Sequence, residues 1–505
     1  MDITRRDMLK FTTLGALAAA GVRPANAAKH MDSETVAALD RVFICNEDSN
    51  TMSVIDPRTN TIETTINLTS FDEDPRPPFQ FVTGGVVPTH AAMSNKPLYH
   101  GAIAVHGAAP SPDSRLIACT GRGTSNVYLI DTQKKQVIGN APNPQAGPKT
   151  NAERLASGVL VGREPHEPTF TRNGKELWVT LRGENRIAIL DVERAIKESG
   201  GTRAQAVRMY IDTVYGPAQV WFSKDGKLGF VVSQKEAKVD VFALNADASG
   251  MSRPKRKTTL DLKADDSFGF TPFEKTTPDG AEIWFSHKLA DAVSAWETQG
   301  SHRKLDRVAL GEKARPNHFE FVENSKGKVG YVSFARVDDG GPGGVASSQI
   351  AIVDRSQPPG GRNVVGTFFS HGREAHGLWT NPEGTRLYVA HEQDELPGTP
   401  NEGQTVCSVF DVSDPMKPGF IAQIPLGSLD LPSGKLRNKK SINLVSPHTS
   451  SINTCKQPNL NLNIHQLDWV VPPESLDVLA QHSQFVVTGP EAHLQEMHCL
   501  VRLGT

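Results

Sequence analysis

The sequence predicts an all-β fold, a seven-bladed β-propeller of four-stranded antiparallel blades, on three observations. A strand–turn–strand phrase closing on an apolar run that carries an Asp recurs along the chain. The copies follow one another at intervals of about 40 to 60 residues, the length of a blade of four short strands rather than of a solenoid repeat. A content of 43 Gly and 34 Pro suits a chain of short strands and tight turns.

The fullest copy runs from His371 to Val412. It holds a short apolar run, Gly377 to Trp379, a turn at Asn381-Pro382-Glu383-Gly384, a strand from Arg386 to Ala390, a Pro/Gly-rich insert, and a strand from Val406 to Val412 with Asp411 in it. Apolar and β-branched runs joined by Gly-bearing turns read as hairpins. One such sheet cannot bury both faces and needs neighbours of its own kind. The chain supplies them at RVFICNEDSNTMSVIDPRTNTIETTINL (41–68), PSPDSRLIACTGRGTSNVYLIDT (ending at Thr132) and HEPTFTRNGKELWVTLRGENRIAILDV (ending at Val192). Further copies run from Pro217 to Phe242, Thr271 to Trp296 and Asn317 to Asp354, the last with a degraded turn at Lys326-Gly327. The first copy resembles the YVTN family of β-propeller repeats, in its Asn-bearing turn, its Ser-Val-Ile-Asp strand and its Val/Thr-rich last strand. The likeness extends over roughly residues 41–425 and is strongest in the first, second, third and seventh copies.

The first copy lacks an inner strand before Arg41, and Lys435 to Val445 offers one. A C-terminal strand is therefore expected to close the ring, which removes the open edge that would otherwise invite aggregation. The domain reading is a signal peptide at 1–27, a propeller at 28–445, and an extension at 446–505 in which Leu476 to Gln484 has the makings of a short helix. Thr4-Arg5-Arg6-Asp7-Met8-Leu9-Lys10 resembles a twin-arginine export signal, followed by apolar Phe11 to Val22 and the small residues Ala25-Asn26-Ala27. Periplasmic localisation is expected. No later apolar run reaches the roughly 18 residues of a membrane span, so no transmembrane anchor is expected in the mature chain. A formal charge of −2 gives no polyanion-binding field, and nucleic acid is not expected as a partner. Of five cysteines, Cys45, Cys119 and Cys407 sit inside apolar strands and read as packing, while Cys455 and Cys499 are free to pair.

Long insertions at 69–100, 139–162, 336–347 and 392–404 fall on connections that share one face of a propeller, which marks that face as the working side. The helix-like Val192 to Ser199 belongs to the other. The histidines agree with this. Eight residues before the turn Gly174 stands His166, eight before Gly384 stands His376, and eight before the degenerate Ser114 stands His106. His318 lies nine before Gly327, one residue out of register. Blades 4 and 5 have Ala218 and Pro272 there. Two of these histidines share a phrase, Gly162-Arg163-Glu164-Pro165-His166 and Gly372-Arg373-Glu374-Ala375-His376, and Arg315-Pro316-Asn317-His318 is a partial third.

These positions begin the innermost strands, so His106, His166, His318 and His376 are candidate ligands of a transition metal, copper or zinc rather than calcium or magnesium. Glu164 and Glu374 are candidates to orient the rings, and Arg163, Arg315 and Arg373, with Arg182, to attract a small anionic ligand. His287 and His391 end second strands and are expected at the same mouth. A polar cap on a solvated channel would use the same positions, although it has no need of Arg-Glu at fixed spacing. Three functions follow. The first is a periplasmic metal- or cofactor-binding redox protein; this architecture resembles the copper-bearing propeller of nitrous oxide reductases and the d-type-haem propeller of cytochrome nitrite reductases. No cupredoxin motif and no Cys-x-x-Cys-His is present, so electrons would come from a separate periplasmic redox partner. The second is a lactonase-like hydrolase with His or Glu as base. The third is a non-catalytic protein- or ligand-binding scaffold.

Overall fold

The computed structural model describes residues 40–68, 104–123, 125–138, 158–198, 206–431 and 434–447. The signal-like segment, the extension beyond residue 447 with Cys455 and Cys499, and the 69–100 insertion lie outside them. Seven four-stranded antiparallel blades surround a central tunnel. In ring order the innermost strands are Ser441–Val445, Val105–Pro110, Pro165–Phe170, Pro217–Phe222, Glu274–Thr276, Pro316–Asn324 and Arg373–Thr380, each touching the next, and the last meets the first.

Each inner hairpin is made by the same local chemistry. The first turn residue of blades 2, 3, 4 and 5 is a Ser or Thr whose hydroxyl donates to an Asp or Asn two residues on, as in Ser223 Oγ to Asp225 Oδ1 at 2.6 Å. The fourth donates its N–H back to the first, as Gly226 does to the Ser223 carbonyl at 2.9 Å. That fourth position has positive φ (Gly174 71°, Gly226 69°, Gly280 79°, Gly384 66°), which is why it is glycine. Blade 2 puts Ser114 there at 59°, which explains its irregular turn in the sequence.

Two boundaries differ from expectation. The segment Lys435 to Val445 is not one strand. Gly434–Arg437 folds back on Ser428–Leu431 as a small hairpin, and only Ser441–Val445 enters blade 1. The 139–157 insertion does not simply precede blade 3. It interrupts the outer strand of blade 2, because Gln136–Val137 and Val159–Leu160 both pair with Asn126–Asp131. The expected helix is present at Val192–Glu198.

Cores form between neighbouring blades. Trp178, Ile187 and Ile189 of blade 3 pack on Val220, Phe222 and Phe242 of blade 4. Where the chain ends meet, Leu444 of the closing strand joins Val42, Ile44, Tyr388 and Val409. Cys45, Cys119 and Cys407 are fully buried, in agreement with a packing role. Leu444→Ala removes a side chain from this junction and is expected to cost about 2–5 kcal/mol in urea unfolding. A loss below about 0.5 kcal/mol would show that the last strand does not hold the ring.

Candidate metal centre in the tunnel

Six of the innermost strands carry the same irregularity at the same height. Between Val105 and Ala108, Pro165 and Pro168, Pro217 and Val220, Pro316 and Phe319, Ala375 and Leu378, and Ser441 and Leu444, two residues face one on the neighbouring strand. A bulge of this kind re-aims side chains and leaves ladder groups unpaired. Hydroxyls of the second strand take up those groups. Thr120, Thr180 and Ser333 accept the N–H of Gly107, Glu167 and His318 at 3.0–3.1 Å. Each then donates to a carbonyl of the following blade: His166 O at 2.8 Å, Ala218 O at 2.8 Å and His376 O at 2.6 Å. The bulges are thereby stapled to one another around the tunnel.

His106, His166 and His376 are first residues of their bulges, with Ala218 and Asn317 in the same place. His318 is a second residue, equivalent to Gly107 and Glu167, which is the physical meaning of its offset in the sequence. The four imidazoles form two pairs. His106 and His166 have ring centroids 4.3 Å apart, His318 and His376 4.6 Å. His318 also stacks on Phe273 at 4.1 Å. His106, His166 and His318 are buried, and the His376 side chain is 11% exposed.

Two rings are oriented by main chain. His166 Nδ1 lies 2.9 Å from Ala218 O, and His376 Nδ1 lies 2.8 Å from Ile442 O, each on the next blade. A carbonyl only accepts, so Nδ1 carries the proton and Nε2 presents its lone pair. His166 Nε2 faces the amide of Gln234 at 3.3 Å, and His376 Nε2 faces Glu392 Oε1 at 3.5 Å. His106 instead turns Nδ1 to the Arg122 guanidinium at 3.4 Å. Burial, then Arg122, pushes His106 down to about 3, and burial, then Lys288, pushes His376 down to about 3. Burial and neighbouring imidazoles put His166 and His318 well below their ordinary range. All four are neutral near pH 7, the form that ligates metals. Burial pushes the Glu167 carboxyl up to about 8, against the Asn443 amide bonded to it. One donor atom each from His106, His166 and Glu167 lie within 4.8 Å of one another.

A charged collar stands over this layer. In four blades the residue after the second strand donates its N–H to the carbonyl just before an inner strand: Glu47, Arg122, Arg182 and Gln234. Ala335, within the longer second strand of blade 6, does the same to Arg315, and Lys288 donates to Phe270, four residues before the short inner strand of blade 5. Glu392 falls at the same place in blade 7. Arg122 joins Glu47 at 3.2 Å to Glu164 at 3.0 Å, and Glu164 also pairs with Arg182, whose Nη1 donates to Gln234 Oε1 at 2.8 Å. Lys440 sits 2.7 Å from Glu47 and 3.9 Å from Glu392. Against burial, Arg182 and Arg122 hold Glu164 at about 2, and Lys440, His106 and Arg122 hold Glu47 well below its ordinary range. The sector of blades 1 to 3 is thus neutralised internally. The sector of blades 5 to 7 is not. Among the described residues no carboxylate lies within 4.0 Å of the Lys288 ammonium, whose pKa burial lowers, and blade 6 has the uncharged Ala335 at its collar position. Burial, then mutual repulsion, raises Glu374, and burial also raises Glu392.

The structure brings together His106, His166, His318 and His376, with Arg182 close above them. Other expected site residues lie elsewhere. Glu164 and Glu374 have φ of 53° and 57°, which turns them from the rings; Glu164 binds arginines and Glu374 accepts from Gln393 at 2.8 Å. Carbonyls of the next blade orient the imidazoles in their stead. Arg163 and Arg315 are exposed, and Arg373 donates to the Asp394 carbonyl at 2.6 Å. His287 and His391 are fully buried and do not reach the mouth. His287 Nε2 meets Ser294 Oγ at 2.8 Å, which also accepts from Trp296, and its Nδ1 faces Thr271 and Asp266 at 3.2 and 3.6 Å. His391 is held by the Val406 carbonyl at 3.0 Å and the Ser370 hydroxyl at 3.0 Å. His287 ties the second and third strands of blade 5 to the segment that leads into it, and His391 ties the second and third strands of blade 7 to the end of the outer strand of blade 6. The sequence reading passed over Glu47, Arg122, Glu167, Gln234, Lys288, Glu392 and Lys440. The repetition of Thr120-Gly121-Arg122-Gly123 in Thr180-Leu181-Arg182-Gly183 was a signal for Arg122.

A family model of lactonases with a seven-bladed β-propeller matches residues 157–332, from the outer edge of blade 2 into blade 6. Similar solved structures include a proposed 6-phosphogluconolactonase from Bacteroides uniformis, with 13% identity and a TM-score of 0.52 over 81% of this chain and 100% of that one. A second proposed 6-phosphogluconolactonase, from Bacteroides fragilis, has 13% identity and a TM-score of 0.52 over 81% and 98%. A functionally unknown protein from Desulfotomaculum acetoxidans has 13% identity and a TM-score of 0.50 over 76% and 95%. At such identities the likeness is one of fold. No curated protein matches the sequence.

The buried His391 imidazole gives stability a pH dependence. Burial holds His391 down at about 4 against an ordinary 6.5. Between those values the unfolded chain binds the proton and the folded chain does not, so stability is full above about pH 6.5 and falls as pH drops toward 4. One such group accounts for about 3 kcal/mol over the window. Buried carboxyls of raised pKa such as Glu167 act in the opposite direction, so the test is a comparison. On going from about pH 7 to about pH 5 in urea unfolding, the wild type is expected to lose about 2 kcal/mol more stability than His391→Asn. The same pH dependence in both would mean that the His391 ring is charged in the folded protein.

Proposed function

We propose that the protein binds a transition-metal ion, copper or zinc, on the tunnel histidines, and that a small anionic ligand reaches it through the collar. The observation that carries this reading is the pairing of His376 and Glu392. Their Nε2 and Oε1 face each other at 3.5 Å, and the other imidazole nitrogen is already committed as a donor. Two acceptors turned toward each other call for a proton or a cation between them. His166 Nε2 accepts from the Gln234 amide at 3.3 Å, a bond that an ion would replace, and donor atoms of His106, His166 and Glu167 lie within 4.8 Å of one another. A bound ion would supply electron exchange if copper, or polarise a carbonyl if zinc. The ligand's charge would meet the Lys288 ammonium rather than Arg163 or Arg373. The twin-arginine-like N terminus would place this chemistry in the periplasm, with a separate redox partner in the copper case.

A second reading is favoured by the family match over residues 157–332: a lactonase-like hydrolase. Glu167, pushed up to about 8 beside His106 and His166, suits a group that exchanges protons near neutral pH.

Equilibrium dialysis of chelator-stripped protein against zinc and copper(II), followed by metal analysis, tests the proposal. Stoichiometric uptake is expected, with affinity reduced at least tenfold, about 1.4 kcal/mol, in His166→Ala and His376→Ala. His302→Asn, whose ring packs on Phe230 and on no tunnel histidine, is expected to bind as the wild type does. Uptake unchanged in both tunnel variants, with circular dichroism confirming their fold, would contradict the assignment.

A further inference from the structure

The inner strands also line a cavity that holds none of the tunnel histidines. Trp221, Glu320 and Trp379, each two residues beyond the bulge of its strand, and Lys275 of the unbulged blade 5 strand form a further layer. Lys275 is fixed here. Its ammonium pairs with Glu320 at 2.6 Å and lies 4.0 Å from the Trp379 ring centre and 5.4 Å from that of Trp221. The Trp221 indole is itself held in place, donating to Thr276 Oγ1 at 3.0 Å.

Around these rings lies a cavity of about 340 Å³, the size of a small cyclic molecule. Phe273 and Gln219 form its inner end, and prolines and alanines of blade 2 form one wall. Its polar lining is cationic. Arg172 and Lys275 line it, and no lining residue is a carboxylate. Glu320 offsets Lys275. Arg172 makes no ion pair within 4.0 Å among the described residues; its guanidinium donates to the Phe222 and Ser223 carbonyls at 2.6 and 3.2 Å and lies 5.5 Å from the Trp221 ring centre. The cavity therefore offers indole faces for a flat or cyclic group and one cation in excess. Such a set of donors selects an anion and repels an ammonium.

We propose that this cavity binds a ring-bearing organic anion, its ring against the Trp221 and Trp379 indoles and its anionic group toward Arg172 and Lys275. The site depends on neither the metal nor the collar. It does adjoin them: Phe273, at its inner end, stacks on His318 in the histidine layer.

Isothermal titration calorimetry of the full chain with benzoate, benzyl alcohol and benzylamine tests the proposal, since the three probes share a ring and differ in charge. Benzoate is expected to bind at least tenfold more tightly than benzylamine, with benzyl alcohol between them. Trp379→Ala and Arg172→Gln are each expected to weaken benzoate at least tenfold. The Arg172 side chain is exposed, so Arg172→Gln carries the test even if Trp379→Ala does not fold. Benzoate binding is expected to survive chelator treatment, which separates this outcome from the metal assignment. Binding of benzylamine as tight as benzoate, benzoate affinity unchanged in Arg172→Gln, or no benzoate heat at millimolar concentration would each overturn the proposal.

Discussion

The geometry of the tunnel depends on one constraint, the extra residue that the innermost strands carry at a common height. A regular strand would alternate its side chains between the tunnel and the neighbouring blade. The bulge turns an additional side chain toward the axis and frees main-chain groups that a hydroxyl of the second strand then binds. Because that hydroxyl also donates to the next blade, the bulges are fixed relative to one another and not only within their own sheets. The same next-blade carbonyls orient His166 and His376. Imidazole geometry is thus a property of the closed ring, and Ser441–Val445, which closes it, is part of the site's support although it contributes no imidazole.

Above that layer, electrostatics divide the tunnel mouth. Burying charge is costly unless each group is paired, and Glu47, Arg122, Glu164, Arg182 and Lys440 meet that condition among themselves. Such a closed network is unlike a landing place for a charged ligand, since each charge already faces an opposite one. The Lys288 side differs because alanine occupies the collar position in blade 6. On that side Lys288 has no carboxylate within 4.0 Å among the described residues, and Glu374 and Glu392 repel one another. The mouth is asymmetric because the repeats have diverged in one slot.

Much of the fold was legible in the sequence because repetition reports it directly: each copy names its own turn, and the missing strand of the first copy identifies its donor. The tunnel histidines were legible for the same reason, as His166 and His376 share a phrase and a spacing. Other residues were misread where side-chain direction, not position along the strand, decides the outcome. His287 ends its second strand and His391 lies near the end of its own, yet both are buried away from the mouth, where Ser294 and Asp266 in one case and Ser370, just beyond the outer strand of blade 6, in the other bind them. Glu164 and Glu374 adjoin the histidines in sequence, but a left-handed backbone carries them away. The collar escaped notice because its members share a slot and not a residue type: glutamate, arginine, glutamine, lysine and alanine at one place in successive blades give no pattern until hydrogen bonds align them.

The central claim is that the closed ring holds imidazoles from separate blades on a common ion. Anomalous scattering from crystals of zinc- or copper-loaded protein tests it most directly. The account predicts a peak inside the tunnel, about 2.0–2.1 Å from the Nε2 atom of His166 or His376. A peak only on the outer surface, or an empty tunnel at saturating metal, would contradict it.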